Sequence, residues 1–227
     1  MRTTCPCPPS TDRRRTKTSS DPRGRLLAEY AKLAPHYDAR WERYIERSHR
    51  ETLARLSISP RDRVLDVGCG TGALLERLAG ACPGAPLAGL EPVPEMLAAA
   101  RRRLPASVAV EAGWAEHLPF GTGRFDVVVS SSAFHYVHDP EAALSEMRRV
   151  LRPHGRLVIT DWCDDYLACR LCSIYLRLFR KAHFRAYTQR DCDALLRSAG
   201  FVDVLVERYK IDWLWGLFTA TAKSPEA

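Results

Sequence analysis

The chain has 227 residues, 46% hydrophobic and 27% charged, which suits one well-buried domain with a small addition at most. No run approaches the roughly 18 consecutive apolar residues of a membrane-crossing helix, and the N-terminal stretch lacks a secretory leader's apolar segment; a cytoplasmic protein with no integral membrane association is expected. The formal net charge is +7, but residues 1–25 hold seven basic and two acidic residues, so the remainder is nearly neutral and no nucleic-acid partner is expected.

Residues 1–24 are rich in Pro, Ser, Thr and Arg, with little apolar surface to bury; a disordered basic tail is expected there, ahead of one domain over 25–227. Residues 25–56 read as helix with a break near Pro35. Strand-like runs then appear at "RVLDV", "PLAGLE", "SVAVEA", "FDVVVSS" and "RLVITDW". Helix-like "GALLERLAGA", "PEMLAAARRRL" and "PEAALSEMRRVL" lie among them. Such alternation implies parallel strands joined by right-handed crossovers. In "VDVLVERYKIDWLWGLFTATA" two strand-like runs are separated by a break too short for a crossover helix, which requires an antiparallel pair. The expected fold is α/β: a doubly wound sheet of seven strands, the last one antiparallel.

An insertion over about 163–187 interrupts this pattern. Leu167, Leu171, Ile174, Tyr175 and Leu178 share one helical face, and Arg170, Arg177, Arg180 and Lys181 share another. One reading packs the apolar face on the sheet edge and leaves the basic side solvated. The other makes the segment a helical lid, because it follows a strand's carboxyl end, where open α/β sheets bind ligands. In that reading Trp162, Tyr166, Leu171, Tyr175 and Phe179 favour a small, partly apolar substrate.

The stretch "VLDVGCGTG" leaves a strand and enters a helix through Gly68, Gly70 and Gly72. Glycine tolerates the backbone angles of so tight a turn and lets a ligand approach the main chain, where the helix directs its unpaired N–H groups. The spacing is G-x-G-x-G, not the G-x-G-x-x-G of a pyrophosphate site, and no G-K-[ST] follows. Asp66 just before the turn would repel a pyrophosphate but suits an ammonium. Glu91, at the end of the second strand, is placed to accept hydrogen bonds from two ribose hydroxyls. A ligand with a ribose, an amino-acid part and no pyrophosphate matches S-adenosylmethionine.

"VLDVGCGTG", "GLEPVPEML", "AEHLPF", "RFDVVVSSSAFHYV" and "LRPHGRLVITDW", in that order, resemble the successive motifs of the class I S-adenosylmethionine-dependent methyltransferases. The likeness is greatest to the small-molecule, type 11 branch that includes the ubiquinone and menaquinone biosynthesis enzymes. It implies a Rossmann-like fold, an S-adenosyl-L-methionine cofactor and methyl transfer to a small, partly apolar metabolite by in-line displacement. It also implies that Asp66, Gly68, Gly70 and Gly72 hold the methionine end and Glu91 the ribose. Pro92, Val93 and Met96 then line the adenine face, Ala115 and Glu116 its edge, Ser131 to Phe134 the methyl group, and Tyr37 closes over the cofactor. Where the family usually has an acid before "AE", this chain has Trp114. That change implies adenine held more by stacking and main-chain bonds, unless Trp114 packs on a loop and Glu116 takes over.

Two residues at strand ends are candidate catalytic bases, His135 and Asp161; each is equally readable as a pocket-shaping residue. His138 reads as a loop histidine. Cys163, Cys169, Cys172 and His183 have poor spacing for a metal, and none is expected. Two alternatives remain open: an RNA or protein methyltransferase recruiting substrate through the basic tail, and a cofactor-binding protein that has lost transfer.

Overall fold

The computed structural model describes residues 21–179 and 185–226. The basic tail through residue 20 and the expected roles of Arg180, Lys181 and His183 lie outside the described residues, as do those of the Arg177 and Phe179 side chains. The chain opens with α1 (Pro22–Leu33), a 3-10 turn (Ala34–His36) and α2 (Tyr37–Arg55). Asp21 caps α1 by accepting the Arg23 N–H, and Pro22 sits at N1, where its missing N–H costs nothing. The helix therefore starts three residues before the expected position at Arg25, and the break falls at Pro35 as expected.

The sheet is built from β1 (Val64–Val67), β2 (Leu87–Glu91), β3 (Ala109–Ala112), β4 (Phe125–Ser131), β5 (Leu151–Trp162), β6 (Val202–Lys210) and β7 (Gly216–Lys223). Its order is β3-β2-β1-β4-β5-β7-β6. β7 pairs antiparallel with both neighbours, and the pairs among β1 to β5 are parallel, as the sequence implied. β5 is longer than the run read from sequence: it begins at Leu151, with His154 at a positive φ of 59° inside it.

Between the strands run α3 (Ala73–Ala81), α4 (Pro94–Arg103) and α5 (Pro140–Val150), followed after β5 by α6 (Leu167–Phe179) and α7 (Gln189–Ser198). Successive residues of a strand face opposite sides, so the core is divided by the sheet. Val127 and Val129 pack with Leu74, Leu75 and Leu78 of α3 and Leu97 of α4. Val128 packs with Leu144 and Met147 of α5 and Leu196 of α7. α7 is fixed at its start by a capping box, Thr188 and Asp191 each bonding the other's backbone.

The N-terminal helices close over the carboxyl ends of the strands. A buried chain of hydroxyls runs from Thr52 of α2 to Thr160 of β5 (2.9 Å) and on to Thr219 of β7 (2.9 Å). Where α2 begins, Asp38 accepts from Thr71 Oγ1 (2.7 Å) and pairs with Arg103 of α4. The strand order reverses between β1 and β4, and there the parallel sheet leaves a crevice. The helices roof that crevice.

The α6 segment departs from the first reading of the sequence. Leu167, Leu171, Ile174, Tyr175 and Leu178 are exposed, between 46% and 73%. The helix instead turns Cys169 and Ser173 inward, where Cys169 Sγ accepts the Gly216 N–H (3.2 Å) and Ser173 Oγ donates to Asp164 (2.8 Å). Its apolar stripe does not pack on the sheet edge.

Candidate active site

All three glycines of the turn have positive φ: 79° at Gly68, 56° at Gly70 and 81° at Gly72. L-residues avoid that region. At Gly68 a Cβ would also stand 2.4 Å from the Ala133 Cβ, so the turn presses against the end of β4, whereas a Cβ on Gly70 would meet open space. The Gly68 and Cys69 amides donate to the Leu90 carbonyl (2.8 and 3.0 Å), tying the turn to β2. Glu91 completes the tie, with Oε2 accepting the Gly70 N–H and Oε1 the Val93 N–H, each at 2.9 Å.

Two carboxyls are buried together here. Burial raises Glu91 to about 7, its two backbone donors opposing the shift. Burial raises Asp66 to about 8, with the nearby Glu91 charge adding to the effect. Asp66 Oδ1 is buried without a hydrogen-bond partner. A buried acceptor lacking a donor, beside a second acid, is a deficit that an ammonium and hydroxyl groups would satisfy. The residues present therefore fit the amino-acid and ribose ends of S-adenosylmethionine.

In front of the turn lies a cavity. Its wall includes Gly68, Gly70, Glu91, Pro92, Val93, Met96, Ala115, Glu116 and Ser131, with Tyr37 from the roof. Asp66 and Gly72 stand behind this wall rather than in it. Trp114 lies in the wall beneath the Arg23 guanidinium, which sits 4.8 Å from its ring centroid. Glu116 Oε1 accepts the His138 and Asp139 amides (3.0 and 3.2 Å) and lies 3.3 Å from Arg23. That oxygen anchors a loop and a helix as well as lining the site. The roof adds Leu26, Tyr30, Tyr44, Ile45, Ser48 and His49, none of which the motifs marked. His49 is held neutral by burial, its pKa lowered to about 4, with the neighbouring Arg77 charge acting the same way. The one sequence signal for the roof is the seven-residue spacing of Tyr30, Tyr37 and Tyr44.

A second cavity shares Tyr30, Tyr37, Tyr44, Ser132 and Tyr136 with the first. Trp41, Trp162 and Trp215 form its aromatic walls, and Cys172 and Leu176 of α6 border it. Rings of Trp162 and Trp215 lie 4.5 Å apart, and Trp162 Nε1 donates to the Tyr44 hydroxyl (2.8 Å). Of the aromatic and apolar residues expected in a lid, Trp162 lines the cavity, Leu171 and Tyr175 are exposed, and Tyr166 packs over Gly216.

His135 also lines this second cavity. Its Nδ1 lies 2.6 Å from Oδ1 of Asp161, and its backbone N–H donates to Oδ2 at 2.9 Å. The Trp162 amide donates to Oδ1 as well (2.7 Å), so three groups fix the Asp161 carboxylate. Asp161 is wholly buried and absent from the cavity wall, while the His135 ring stacks on Trp162 at 5.2 Å. His138 is exposed in the loop after the 3-10 turn at Phe134–Tyr136. The described cysteines, Cys169 and Cys172 included, are free thiols, and no group of three metal-ligating side chains occurs among the described residues.

Residues 65–159 match the model of the family described as "Methyltransferase domain". An uncharacterized methyltransferase of Synechocystis is 34% identical over 168 residues, which span 72% of this chain and 78% of that one. A demethylmenaquinone methyltransferase of Symbiobacterium thermophilum is 36% identical over 146 residues, 58% of this chain and 57% of its own length. An O-methyltransferase of Penicillium expansum is 34% identical over 161 residues, 69% of this chain and 58% of its own length. Among solved structures, an S-adenosylmethionine-dependent methyltransferase of Thermotoga maritima, described as a possible histamine N-methyltransferase, superposes with a TM-score of 0.71 at 22% identity; the match covers 87% of this chain and 99% of that one. The chain belongs to the S-adenosylmethionine-dependent methyltransferases. Among the described residues no helix is long and apolar enough to cross a membrane.

Proposed function

We propose that this methyltransferase transfers a methyl group to the hydroxyl of a small aromatic metabolite, with His135 as general base and Asp161 as the residue that positions it. One observation carries the reading: a buried histidine, held at Nδ1 by a buried carboxylate, faces an aromatic cavity adjoining the cavity of the glycine turn. Asp161 sits behind His135 and not in the wall, so of the two candidate bases His135 is the one that reaches an acceptor.

Each part of the site has a task in this reading. When bound, S-adenosylmethionine supplies a methyl group carried on a positively charged sulfur. Glu91 accepts the ribose hydroxyls, the turn holds the amino-acid end through Gly68 and Gly70 with Asp66 and Gly72 supporting it from behind the wall, and Pro92, Met96 and Ala115 flank the base. Trp114 and Glu116 close the edge, and Tyr37 covers the site with Ser131 below. His135 takes the acceptor's hydroxyl proton on Nε2 while Asp161 accepts the Nδ1–H, the arrangement that fixes an imidazole's tautomer. Tyr44, Trp41, Trp162 and Trp215 hold the acceptor and keep water out. Orientation of the two reactants is the main contribution to rate.

The test is incubation with methyl-labelled S-adenosylmethionine and a panel of phenols and anilines, read by mass spectrometry. O-methylated phenols are expected. Methylated anilines with untouched phenols would contradict the reading, as would no product from a protein that binds S-adenosylhomocysteine.

A further inference from the structure

The second cavity is aromatic along its walls but carries cations where α1 and the start of α2 meet. Arg25, Lys32 and Arg40 all line it, and among the described residues Glu29 is the single acid in its lining. None of the three cations pairs with a carboxylate among the described residues; Arg40 rests 5.8 Å from the Trp41 ring centroid. Arg25 and Lys32 are seven residues apart on one helix, two turns or about 10 Å.

Arg25 is the decisive member. Its Nε is buried and has no hydrogen-bond partner. A guanidinium presents a planar fork of donors that matches a carboxylate, and a buried donor left unpaired is costly. Lys32 and Arg40 meet solvent and can be hydrated; Nε of Arg25 has no such outlet. Arg25, a partly buried residue in the lining of the cavity that this reading gives to the substrate, thus carries one donor without an acceptor.

We infer that the methyl acceptor is itself an anion: an aromatic hydroxyl compound bearing a carboxylate, gripped by Arg25 with Arg40 and Lys32 adding charge at the rim. The inference rests on the assignment of this cavity to the acceptor. It adds that the enzyme selects among aromatic hydroxyl compounds by charge, since rings and apolar walls discriminate weakly while a lost charge-assisted bond costs roughly tenfold or more in affinity.

Two probes differing only in charge test it: 6-hydroxy-2-naphthoate and 6-hydroxy-2-naphthamide. Binding is followed by quenching of tryptophan fluorescence in the full chain with S-adenosylhomocysteine present. The naphthoate is expected to bind wild type at least about tenfold tighter than the amide, a ratio that falls toward one in Arg25→Met and shrinks in Arg40→Gln. Arg25→Lys, which keeps the charge but loses the fork, is expected to recover part of the ratio. Calorimetry with S-adenosylhomocysteine alone checks that each variant is folded. Equal affinity for the two probes, or a ratio that Arg25→Met leaves intact, overturns the anionic subsite. A preference for the naphthoate that persists while no phenol is ever methylated would uphold the subsite and overturn the transfer reading beneath it.

Discussion

Nδ1 of His135 and Oδ1 of Asp161 lie 2.6 Å apart, both side chains buried, and the second oxygen of Asp161 accepts the backbone N–H of the same histidine. One carboxylate thus fixes both the position and the ring orientation of one imidazole. His135→Ala is expected to lower kcat about 100-fold on a phenolic acceptor, and Asp161→Asn by a comparable factor, with affinity for S-adenosylhomocysteine unchanged. A purely shape-defining histidine would raise KM and leave kcat in place.

Gly68 and Gly70 share a positive φ but not a neighbourhood. Alanine at Gly70 pays only for the left-handed backbone, about 1–2 kcal/mol. Alanine at Gly68 adds the collision with Ala133 and is expected to cost about 3 kcal/mol or more. Denaturant unfolding of the two variants separates them. Equal losses would mean that the turn does not press on β4.

These features were legible in the sequence because each is local: glycines where φ is positive, an acid at a strand end, alternation of apolar runs. The roof was not. Leu26, Tyr30, Ser48 and His49 face the cavity only because α1 and α2 fold back over strands far along the chain, and no short motif encodes that docking. At α6 the helical wheel puts Leu167, Leu171, Ile174, Tyr175 and Leu178 on one face but cannot say which face turns inward; small residues such as Cys169 and Ser173 permit the closer approach, and the leucines face out. The pairing of His135 with Asp161 is equally hidden, since no local pattern links two residues 26 positions apart.

The raised carboxyls make the cofactor site sensitive to pH. Asp66 near 8 and Glu91 near 7 hold protons at pH 6 that they must release to meet an ammonium and its neighbouring hydroxyls. Affinity for S-adenosylmethionine is expected to rise between pH 6 and 8, with proton release visible as buffer-dependent binding heats. Stability of the free protein should run the other way. Both folded pKa values lie above their unfolded values, so the native state binds more protons, and stability falls as pH rises from about 4 to about 8. Thermal melts across that range check the sign, with Asp66→Asn expected to keep only the part of the slope that Glu91 contributes.

Residues before Asp21 are proposed as a dispensable tail, whereas α1 supplies Leu26 and Tyr30 to the cavity and Arg23 over Trp114. Removing residues 1–20 should leave cofactor affinity and small-molecule turnover unchanged. Removing 1–33 should weaken cofactor binding about tenfold or more, through lost apolar cover. A large loss of turnover in the shorter truncation would favour recruitment of a macromolecular substrate by the tail.

The most direct measurement is calorimetric titration of the purified chain with S-adenosylmethionine and S-adenosylhomocysteine, repeated on Glu91→Ala. Glu91 both lines the cavity and holds the Gly70 and Val93 amides, so its loss removes the ribose acceptor and loosens the turn together. Saturable binding by wild type, weakened at least about tenfold in the variant, is the predicted result. Wild type that binds neither compound, or a variant that binds both as tightly, would contradict the assignment of this cavity to the methyl donor.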